Sequence, residues 1–468
     1  MDIGGFMPFL KGTVALLSLC LLSIVGCATT LPNVSTLEQT HLSSGIPTIV
    51  GPSGQLSQRE AKRTIARLHR QAGSPELLEE HISLMQSLSG QQLTSGNRAV
   101  LLVDGPATNE AMFKAISQAK DHINLETFIF ADDEVGRQFA DLLLQKQAEG
   151  IQVNLIYDSV GSMGTPSSFF QRLKDGGVNV LEFNPVNPLK AGKKSLITQR
   201  DHRKTMIIDG RIAFTGGVNI SSVYSKNPSA HADKDRWKWE GWRDTHVQIE
   251  GSAVEQLQKL FLETWGDQKG PALAPKNYFP ALERKGSELV KIIGSTPGEM
   301  SRLTYVMYVS AIRKAEDFIH MTMAYFVPDR QSKNVLRDAA RRGVDVKLVL
   351  PSTSDSNLTF YAGRSHYEDL LESGVKVYER QSSILHAKTA VIDGVWSTVG
   401  STNFELWSFM RNNEINAIIL GADFAKVMEE LFKKDLAESK EITPENWSRR
   451  PVFDRMKEFF ARLVSRWL

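Results

Sequence analysis

The chain has 468 residues, which is enough for two or three domains and a large core. Lysine and arginine number 55 against 53 acidic residues, and this near balance argues against a dedicated nucleic-acid binder, which normally carries a basic excess. A hydrophobic content of 41% with 23% charged residues argues against collagen, wholesale disorder and a polytopic membrane protein. The two cysteines, at positions 20 and 27, leave the remaining chain without a disulfide scaffold or a cysteine nucleophile.

The first element in the chain, residues 1–26, indicates a targeting segment rather than part of a fold. Lys11 precedes an uncharged apolar run over residues 12–25, which ends in the tetrapeptide IVGC. That ending resembles the bacterial lipoprotein signal, in which cleavage before the cysteine would leave Cys27 as the lipidated first residue. The alternative is an uncleaved inner-membrane anchor, since a spanning helix needs about 20 apolar residues. In both cases we expect attachment to a membrane of the bacterial cell envelope, and a lipoprotein would face the periplasm.

Residues 27–95 indicate a tether followed by a helical region, with candidate helices at 58–71 and 75–88. Beyond them the chain repeats itself, because AISQAKDHINLETFIF at 115–130 aligns with AIRKAEDFIHMTMAYF at 311–326. We therefore predict one unit used twice. Its boundaries are a first domain over 96–266, a Pro-containing linker over 267–285, a second domain over 286–440 and a C-terminal helix within 441–468.

Each copy predicts alternating helices and strands. The strands are apolar runs and the helices carry apolar residues at helical spacing: strands 123–130 and 151–157 flank helix 134–149 in the first copy, and strands 318–326 and 344–350 flank helix 331–342 in the second. Strands that alternate with helices of this length predict an α/β fold with a mostly parallel sheet.

Both copies carry the same motif, H-x-K-x4-D-x6-G-[GS]-x-N. It places His202, Lys204, Asp209 and Asn219 in the first copy, and His386, Lys388, Asp393 and Asn403 in the second. One such motif can arise by chance, whereas two complete copies within a repeat indicate function. On a strand the histidine and the lysine, two residues apart, share a face. Each aspartate lies beside an Asp-Gly turn, so we expect it to support the local backbone through hydrogen bonds.

Packed about a pseudo-twofold axis, the two copies would bring two imidazoles, two ammonium groups and two amides into one pocket. That set suits a phosphodiester, because lysine and asparagine would neutralise and hold the non-bridging oxygens. One histidine would attack phosphorus and the other would protonate the leaving alcohol, so that no metal or other cofactor is required. A single histidine is more often structural, but the duplication favours catalysis.

With these motifs the sequence resembles the phospholipase D superfamily and, within it, the bacterial cardiolipin synthase branch. The resemblance extends over roughly residues 95–440. It includes FNPVNPL (183–189), RDHRKTMIIDGRIAFTGGVNIS (200–221) and ILHAKTAVIDGVWSTVGSTNFE (384–405). It implies two tandem phospholipase D-like α/β/α sandwich domains, related by pseudo-twofold symmetry around a single shared active site.

The resemblance also implies two-step chemistry through a phosphohistidine. His202 would be the nucleophile, and His386 the general acid and then the general base. Asp244 and Glu414 are candidates for orienting the imidazoles, and the alternative for each is a charge at a strand edge. The best-known members of the branch begin with two membrane-spanning helices, where this chain has one short apolar segment.

Three further features bear on the substrate. A basic loop with Lys190, Lys193, Lys194 and Arg200 would attract anionic headgroups or is simply solvated. The cluster RWKWEGWR at 236–243 suits a membrane interface, base stacking or a core. Residues 449–468 form a basic amphipathic pattern that suits anionic lipid, unless its apolar face packs on the protein itself. Together they favour lipid over nucleic acid, and no obligate protein partner is implied.

The sequence thus predicts a membrane-associated phosphatidyltransferase that joins two phosphatidylglycerol molecules, or phosphatidylglycerol and another phospholipid. Hydrolysis to phosphatidic acid is an alternative that shares the first half-reaction. A periplasmic nuclease on the same scaffold is less favoured by the charge balance. A non-enzymatic lipid-binding protein is disfavoured because both motifs are intact.

Overall fold

The computed structural model describes residues 31–41, 46–71, 77–186, 198–226, 241–298 and 302–465, and Asn33–Leu468 form one compact unit. The targeting segment predicted at residues 1–26 and the candidate lipidation site Cys27 lie outside the described residues. Within the described part of the chain, no helix combines the length and the apolar character needed to cross a membrane.

Helices and strands alternate along the chain in both copies of the repeat. The helices are α1 (Val34–His41), α2 (Gln58–Gln71), α3 (Ile82–Ser89), α4 (Asp104–Ser117), α5 (Glu134–Ala148), α6 (Ser167–Asp175), α7 (Val254–Asp267), α8 (Leu303–Lys314), α9 (Arg330–Arg341), α10 (Asn357–Arg364), α11 (Tyr367–Leu371), α12 (Leu406–Met410), α13 (Ala422–Ala437), α14 (Pro444–Ser448) and α15 (Val452–Val464). The strands are β1 (Ile49–Gly51), β2 (Gly54–Gln55), β3 (Leu93–Val103), β4 (His122–Thr127), β5 (Gln152–Asp158), β6 (Asn179–Phe183), β7 (Arg200–Asp201), β8 (Thr205–Ile208), β9 (Ile212–Gly216), β10 (Thr245–Glu250), β11 (Glu288–Ser295), β12 (Phe318–Met323), β13 (Phe326–Val327), β14 (Asp345–Pro351), β15 (Lys376–Arg380), β16 (Lys388–Ile392), β17 (Trp396–Gly400), β18 (Phe404–Glu405), β19 (Asn412–Leu420) and β20 (Ser439–Ile442).

The two repeats have the same strand order. It runs β3-β10-β9-β8-β4-β5-β6 in the first repeat and β11-β19-β17-β16-β12-β14-β15 in the second. Antiparallel pairing of β3 with β11 joins the strands of the two repeats into one continuous sheet. This duplicated order confirms the prediction of an α/β fold made of two equivalent units.

The prediction of a mostly parallel sheet is wrong. Along the strand order of each repeat, parallel pairing is confined to β4-β5-β6 and β12-β14-β15, and the other neighbours pair antiparallel. The short strands β13 and β18 form a separate parallel pair. The Asp-Gly turns explain the difference: φ is +53° and +62° at Asp209 and Gly210, and +51° and +63° at Asp393 and Gly394. These angles allow a tight turn with three residues between the paired strand ends, so β8-β9 and β16-β17 reverse directly without a crossover helix.

A shared apolar core fixes the two repeats against each other. It contains Val247 and Ile249 of β10 and Phe261 of α7 from the first repeat, packed in the same cluster as Ile415 and Ile419 of β19 from the second. A separate core in the first repeat lies beneath α4, α5 and α6. Because β10 and β19 share one core, the polar residues at their ends are held at a fixed separation.

Candidate active site

His202 lies between β7 and β8, where the second repeat holds it. Its backbone N–H donates to the carbonyl of Asn413 in β19 at 2.9 Å. Its imidazole Nδ1 is 3.1 Å from both carboxylate oxygens of Glu414, the next residue of that strand. The histidine is only 8% exposed, and Glu414 is fully buried. The first-repeat histidine is thus positioned by a carboxylate of the second repeat.

His386 repeats this arrangement in the opposite direction. Its backbone N–H donates to the carbonyl of Arg243 at 2.8 Å, and its Nδ1 is 2.7 Å from Asp244 Oδ2. Arg243 and Asp244 immediately precede β10 of the first repeat. Each imidazole therefore meets a buried carboxylate from the other repeat, and the site is incomplete in either repeat alone. A carboxylate at Nδ1 favours the tautomer that keeps the proton there and leaves Nε2 as a lone pair.

The two motif lysines lie beside the two histidines. Lys204 Nζ donates to the carbonyl of His202 at 2.6 Å, and Lys388 Nζ lies 2.9 Å from His386 Nδ1 and donates to the carbonyl of His386. Burial lowers the pKa of Lys204 to about 7 and that of Lys388 to about 8. Burial disfavours the charged form of both lysines, and an entering anion would favour it.

The two carboxylates differ in their electrostatics. Burial raises the pKa of Asp244 to about 6, although the charge of Lys388 and a hydrogen bond from the backbone N–H of Thr245 oppose this shift. Burial favours a raised pKa for Glu414 as well. The neighbouring His202 and a hydrogen bond from Ser401 Oγ at 2.5 Å nevertheless hold the pKa of Glu414 below its ordinary value. In the first motif the position of Ser401 is occupied by Gly217, where an added Cβ would lie 2.1 Å from Asp244 Oδ1. The first repeat therefore has no room for the hydroxyl that acidifies Glu414.

Burial disfavours the charged form of both imidazoles. Burial lowers the pKa of His202, and burial together with the charge of Lys388 lowers the pKa of His386 well below its ordinary value. The carboxylate of Asp355 acts on His386 in the opposite direction. An entering phosphodiester would add a negative charge beside His386 and raise its pKa, which is the condition for a proton donor.

The motif aspartates lie at the far ends of strands β8 and β16, away from the histidines. The carboxylate of Asp209 accepts hydrogen bonds from the backbone N–H groups of Lys120, Asp121 and His122, and that of Asp393 from those of Glu316, Asp317 and Phe318, all at 2.8 to 3.0 Å. Both aspartates thus anchor the start of a central strand rather than reach into the pocket.

The motif asparagines are placed differently from each other. Asn219 accepts from the backbone N–H of Ile129 at 3.2 Å and donates to the hydroxyl of Tyr224 at 3.0 Å. The side-chain oxygen of Asn403 is buried and has no hydrogen-bond partner among the described residues. Asn219 thus ties the first motif to an aromatic side chain that reaches His386, since Tyr224 Oη lies 3.4 Å from its Nδ1.

Aromatic rings enclose both histidines, and most of these rings belong to no motif in the sequence. Phe128 lies 5.0 Å from His202, measured between ring centroids. Around His386 the corresponding distances are 5.8 Å to Tyr224, 5.3 Å to Trp242 and 6.5 Å to Tyr325. Only Trp242 carried a sequence signal, as part of the tryptophan-rich cluster. These rings exclude water from the imidazoles and enlarge the effect of every charge around them.

The family model described as "Cardiolipin synthase, PLD-like domain" matches residues 112–227 and 308–436, one match in each repeat. These two segments carry both histidine-lysine motifs. The chain belongs to the bacterial cardiolipin synthase branch of the phospholipase D superfamily. Members of the cardiolipin synthase family are phosphatidyltransferases of the phospholipase D type and are membrane-associated in bacteria, so this chain is an enzyme.

Curated relatives support the assignment to the cardiolipin synthase family. Cardiolipin synthase 2 of Bacillus anthracis is 35% identical over 78% of this chain and 69% of its own length. Cardiolipin synthase of Halalkalibacterium halodurans is 34% identical over 85% of this chain and 77% of its own length. Among solved structures, phosphatidylserine synthase of Haemophilus influenzae Rd KW20 has a TM-score of 0.57 at 12% identity, covering 79% of this chain and 93% of its own. That likeness concerns the fold alone.

The basic loop predicted beside the pocket is only partly described. Lys190, Lys193 and Lys194 lie outside the described residues, as does most of the tryptophan-rich cluster. Arg200 is 5% exposed and its guanidinium donates to Ser159 Oγ at 3.0 Å and lies 3.5 Å from Asp158. The expectation that Arg200 attracts lipid headgroups is therefore wrong, because its charge is used inside the first repeat.

Proposed function

We propose that this enzyme joins two phosphatidylglycerol molecules into cardiolipin through a phosphatidyl-histidine intermediate. His202 Nε2 attacks phosphorus of the first molecule, the bond from phosphorus to the glycerol oxygen breaks, and His386 gives that oxygen its proton. His386 then takes a proton from a hydroxyl of the second molecule, whose oxygen displaces His202 from phosphorus. The observation that carries the proposal is the crosswise pairing of each imidazole with a buried carboxylate.

The difference between the two carboxylates supports the division of labour between the histidines. Glu414 is ionised across the neutral range, because its pKa lies below the ordinary value. It therefore holds the Nδ1 proton of His202 and leaves Nε2 free to attack. Asp244, with a pKa of about 6, is protonated more readily than Glu414 in mild acid. Burial and the charge of Lys388 lower the pKa of His386 well below its ordinary value, so that histidine releases a proton readily once it carries one. Lys204, Lys388, Asn219 and Asn403 bind the non-bridging oxygens.

Transfer to an alcohol must compete with transfer to water. The half-buried rings of Phe128, Trp242 and Tyr325 line the approach to the imidazoles and keep water from the intermediate. This wall favours the transferase over simple hydrolysis to phosphatidic acid. Phosphatidylglycerol is the proposed substrate because it supplies both the anionic phosphodiester that the lysines bind and the hydroxyl that accepts the phosphatidyl group.

Product analysis tests this reaction. Purified full-length protein is incubated with phosphatidylglycerol vesicles, and the lipids are resolved by mass spectrometry. We expect cardiolipin and free glycerol in equal amounts. Phosphatidic acid without cardiolipin would instead establish the hydrolase, and cleavage of DNA without lipid turnover would overturn the lipid substrate altogether.

An activated leaving group separates the roles of the histidines. Nitrophenol leaves a phosphodiester without a proton donor, so His386→Ala should release one burst of nitrophenol from phosphatidyl-nitrophenol and then stop. His202→Ala should give no burst, because no nucleophile remains. His41→Ala, an exposed histidine on α1, serves as the matched control and should behave as wild type. A burst from His202→Ala together with none from His386→Ala would reverse the assignment.

For the location we propose a lipoprotein anchored through Cys27 and facing the periplasm. The support is the IVGC sequence at the end of the apolar run. Labelled palmitate should enter the wild-type protein and not Cys27→Ala. Equal labelling of the two proteins would refute acylation at Cys27 and favour the uncleaved anchor.

A further inference from the structure

The C-terminal helix α15 exposes a continuous apolar face. Its large hydrophobic side chains are between 40% and 71% exposed: Val452, Phe453, Met456, Phe459, Phe460, Leu463 and Val464. At about 100° per residue they occupy one arc of about 140° along the whole helix. An apolar surface of this kind marks a site of interaction, because single exposed hydrophobics are ordinary but a contiguous face is not.

The opposite, polar side of α15 attaches the helix to the protein. Glu458 and Ala461 are each only 3% exposed. Glu458 accepts a hydrogen bond from Arg450 Nε at 2.9 Å and lies 3.5 Å from Arg364 Nε. Ala461 packs against α10 and β13. A surface helix normally buries its apolar stripe against the protein. Here the polar side is buried instead, so the apolar face is free to contact something other than the protein's own core. The alternative in which that face packs on the core is wrong.

Basic side chains border the apolar face of α15. Arg455 and Arg462 are exposed along one edge. Along the other edge Lys457 lies over the rings of Phe453 and Tyr361, at 4.6 and 4.8 Å from their centroids. Glu458, by contrast, is buried and neutralised by arginines. Cations that flank an apolar arc place their charges at headgroup level while the arc enters the acyl region, and they prefer anionic lipid.

Helix α10 connects α15 to the mouth of the active site. It begins two residues after Asp355, which accepts a hydrogen bond from the hydroxyl of Tyr325 at 2.7 Å, and Tyr325 faces His386. Gly363 of α10 packs so closely on the backbone that an added Cβ would lie 2.5 Å from the carbonyl oxygen of Phe326. The exposed helix is therefore rigidly tied to the His386 side of the pocket.

We propose that α15 lies in the plane of an anionic phospholipid surface and holds the mouth of the active site against the headgroups. The binding itself follows from α15 alone, whereas its benefit to catalysis rests on the proposed function. The partner that we propose for the apolar face of α15 is the bilayer. A second copy of this chain and the chain's own N-terminal apolar run are the other occupants that the experiment distinguishes.

Site-directed fluorescence tests the position of α15. The full-length chain carries Cys20→Ser and Cys27→Ser, so that an environment-sensitive probe reacts only at Phe460→Cys or, as the control, at Glu110→Cys on α4 of the first repeat. Vesicles contain phosphatidylcholine with or without phosphatidylglycerol and carry brominated acyl chains. We expect blue-shifted, bromine-quenched emission at position 460 only with phosphatidylglycerol present, and no change at position 110.

Three results would overturn the placement of α15. Emission at position 460 that stays unchanged when vesicles are added shows that the apolar face does not enter the bilayer. Blue-shifted emission before vesicles are added shows that the chain's own N-terminal run covers the face. The same shift with a dependence on protein concentration shows that a second copy covers it.

Activity measurements test the orienting role. The variant Phe459→Ser/Phe460→Ser/Leu463→Ser should lose activity on phosphatidylglycerol vesicles by about tenfold or more, because three exposed side chains no longer enter the bilayer and contribute to binding. Its activity on short-chain phosphatidylglycerol dispersed as monomers should be unchanged. The control Met163→Ser/Phe279→Ser/Val427→Ser removes exposed hydrophobic side chains elsewhere and should match wild type in both assays.

Equal losses on vesicles and monomers would refute the orienting role. Failure of wild type to form cardiolipin would refute the proposed function and leave the fluorescence result standing.

Discussion

A difference of one residue between the two motifs contributes to the different electrostatics of two otherwise symmetric histidines. Ser401 donates to Glu414, while its counterpart Gly217 gives Asp244 no such bond and has no space to do so. The pKa of Asp244 is raised by burial, whereas His202, Lys204 and the bond from Ser401 together lower that of Glu414. A duplicated unit starts with two equal imidazoles, and this difference keeps Glu414 ionised in mild acid where Asp244 begins to take up a proton.

Removal of the Ser401 hydroxyl should therefore steepen the acid limb of the pH profile. Glu414 must be ionised to hold the Nδ1 proton of His202, and its lowered pKa keeps it ionised in mild acid. Ser401→Ala removes a donor to the carboxylate, so the pKa of Glu414 rises. The loss of kcat/KM in acid should then become steeper than in wild type, because Glu414 takes up a proton soon after Asp244, whose pKa is about 6, with activity near pH 8 little changed.

The control for this prediction is Ser397→Ala. Ser397 is also buried, but its hydroxyl has no hydrogen-bond partner among the described residues. Its pH profile should coincide with that of wild type. If the profiles of both variants change alike, the effect reports altered packing rather than the bond from Ser401 to Glu414.

At the scale of elements, the sequence correctly predicted those helices and strands whose positions depend on residues close together in the chain. Helix α2 has the predicted bounds, and the strands β4, β5, β12 and β14 begin within one residue of the predicted positions. The spacing of apolar residues and the Asp-Gly turns are local signals, and they are sufficient to locate these helices and strands. The antiparallel half of each sheet was missed because the period of a buried strand does not reveal the direction of its neighbour.

The crosswise pairing depends on contacts that no local pattern contains. Asp244 and Glu414 were recognised as candidates, but the sequence did not show that each serves the histidine of the other repeat. That assignment arises from the pairing of β7 with β19 and from the bridge between Arg243 and Leu385, which join residues far apart in the chain. The inverted attachment of α15 was hidden for the same reason, since it depends on Arg364 and Arg450 meeting Glu458.

At the scale of the whole molecule, the repeats are fused through one sheet, one core and one buried ion network. The guanidinium of Arg243, in the first repeat, donates to both carboxylate oxygens of Asp435 on α13 of the second repeat at 2.8 Å. It also lies 3.4 Å from Asp104 of α4. Its backbone carbonyl meanwhile receives the N–H of His386. The residue that links the repeats is thus the neighbour of the residue that orients an imidazole.

Loss of Arg243 should therefore damage stability and turnover together. Arg243→Met removes the cation beside Asp104 and leaves Asp435 only its longer contact to Arg380 at 3.6 Å, and breaking a buried pair in this way costs about 3–5 kcal/mol in the free energy of unfolding. Arg98→Met is the matched control, because Arg98 pairs with Glu250 at 3.2 Å but is 58% exposed, and should cost about 0–1 kcal/mol. Chemical denaturation followed by tryptophan fluorescence measures both. Equal unfolding midpoints for the two variants would show that the network does not hold the repeats together. A fall in cardiolipin formation by Arg243→Met under conditions where the variant remains folded would show that the same link also positions His386.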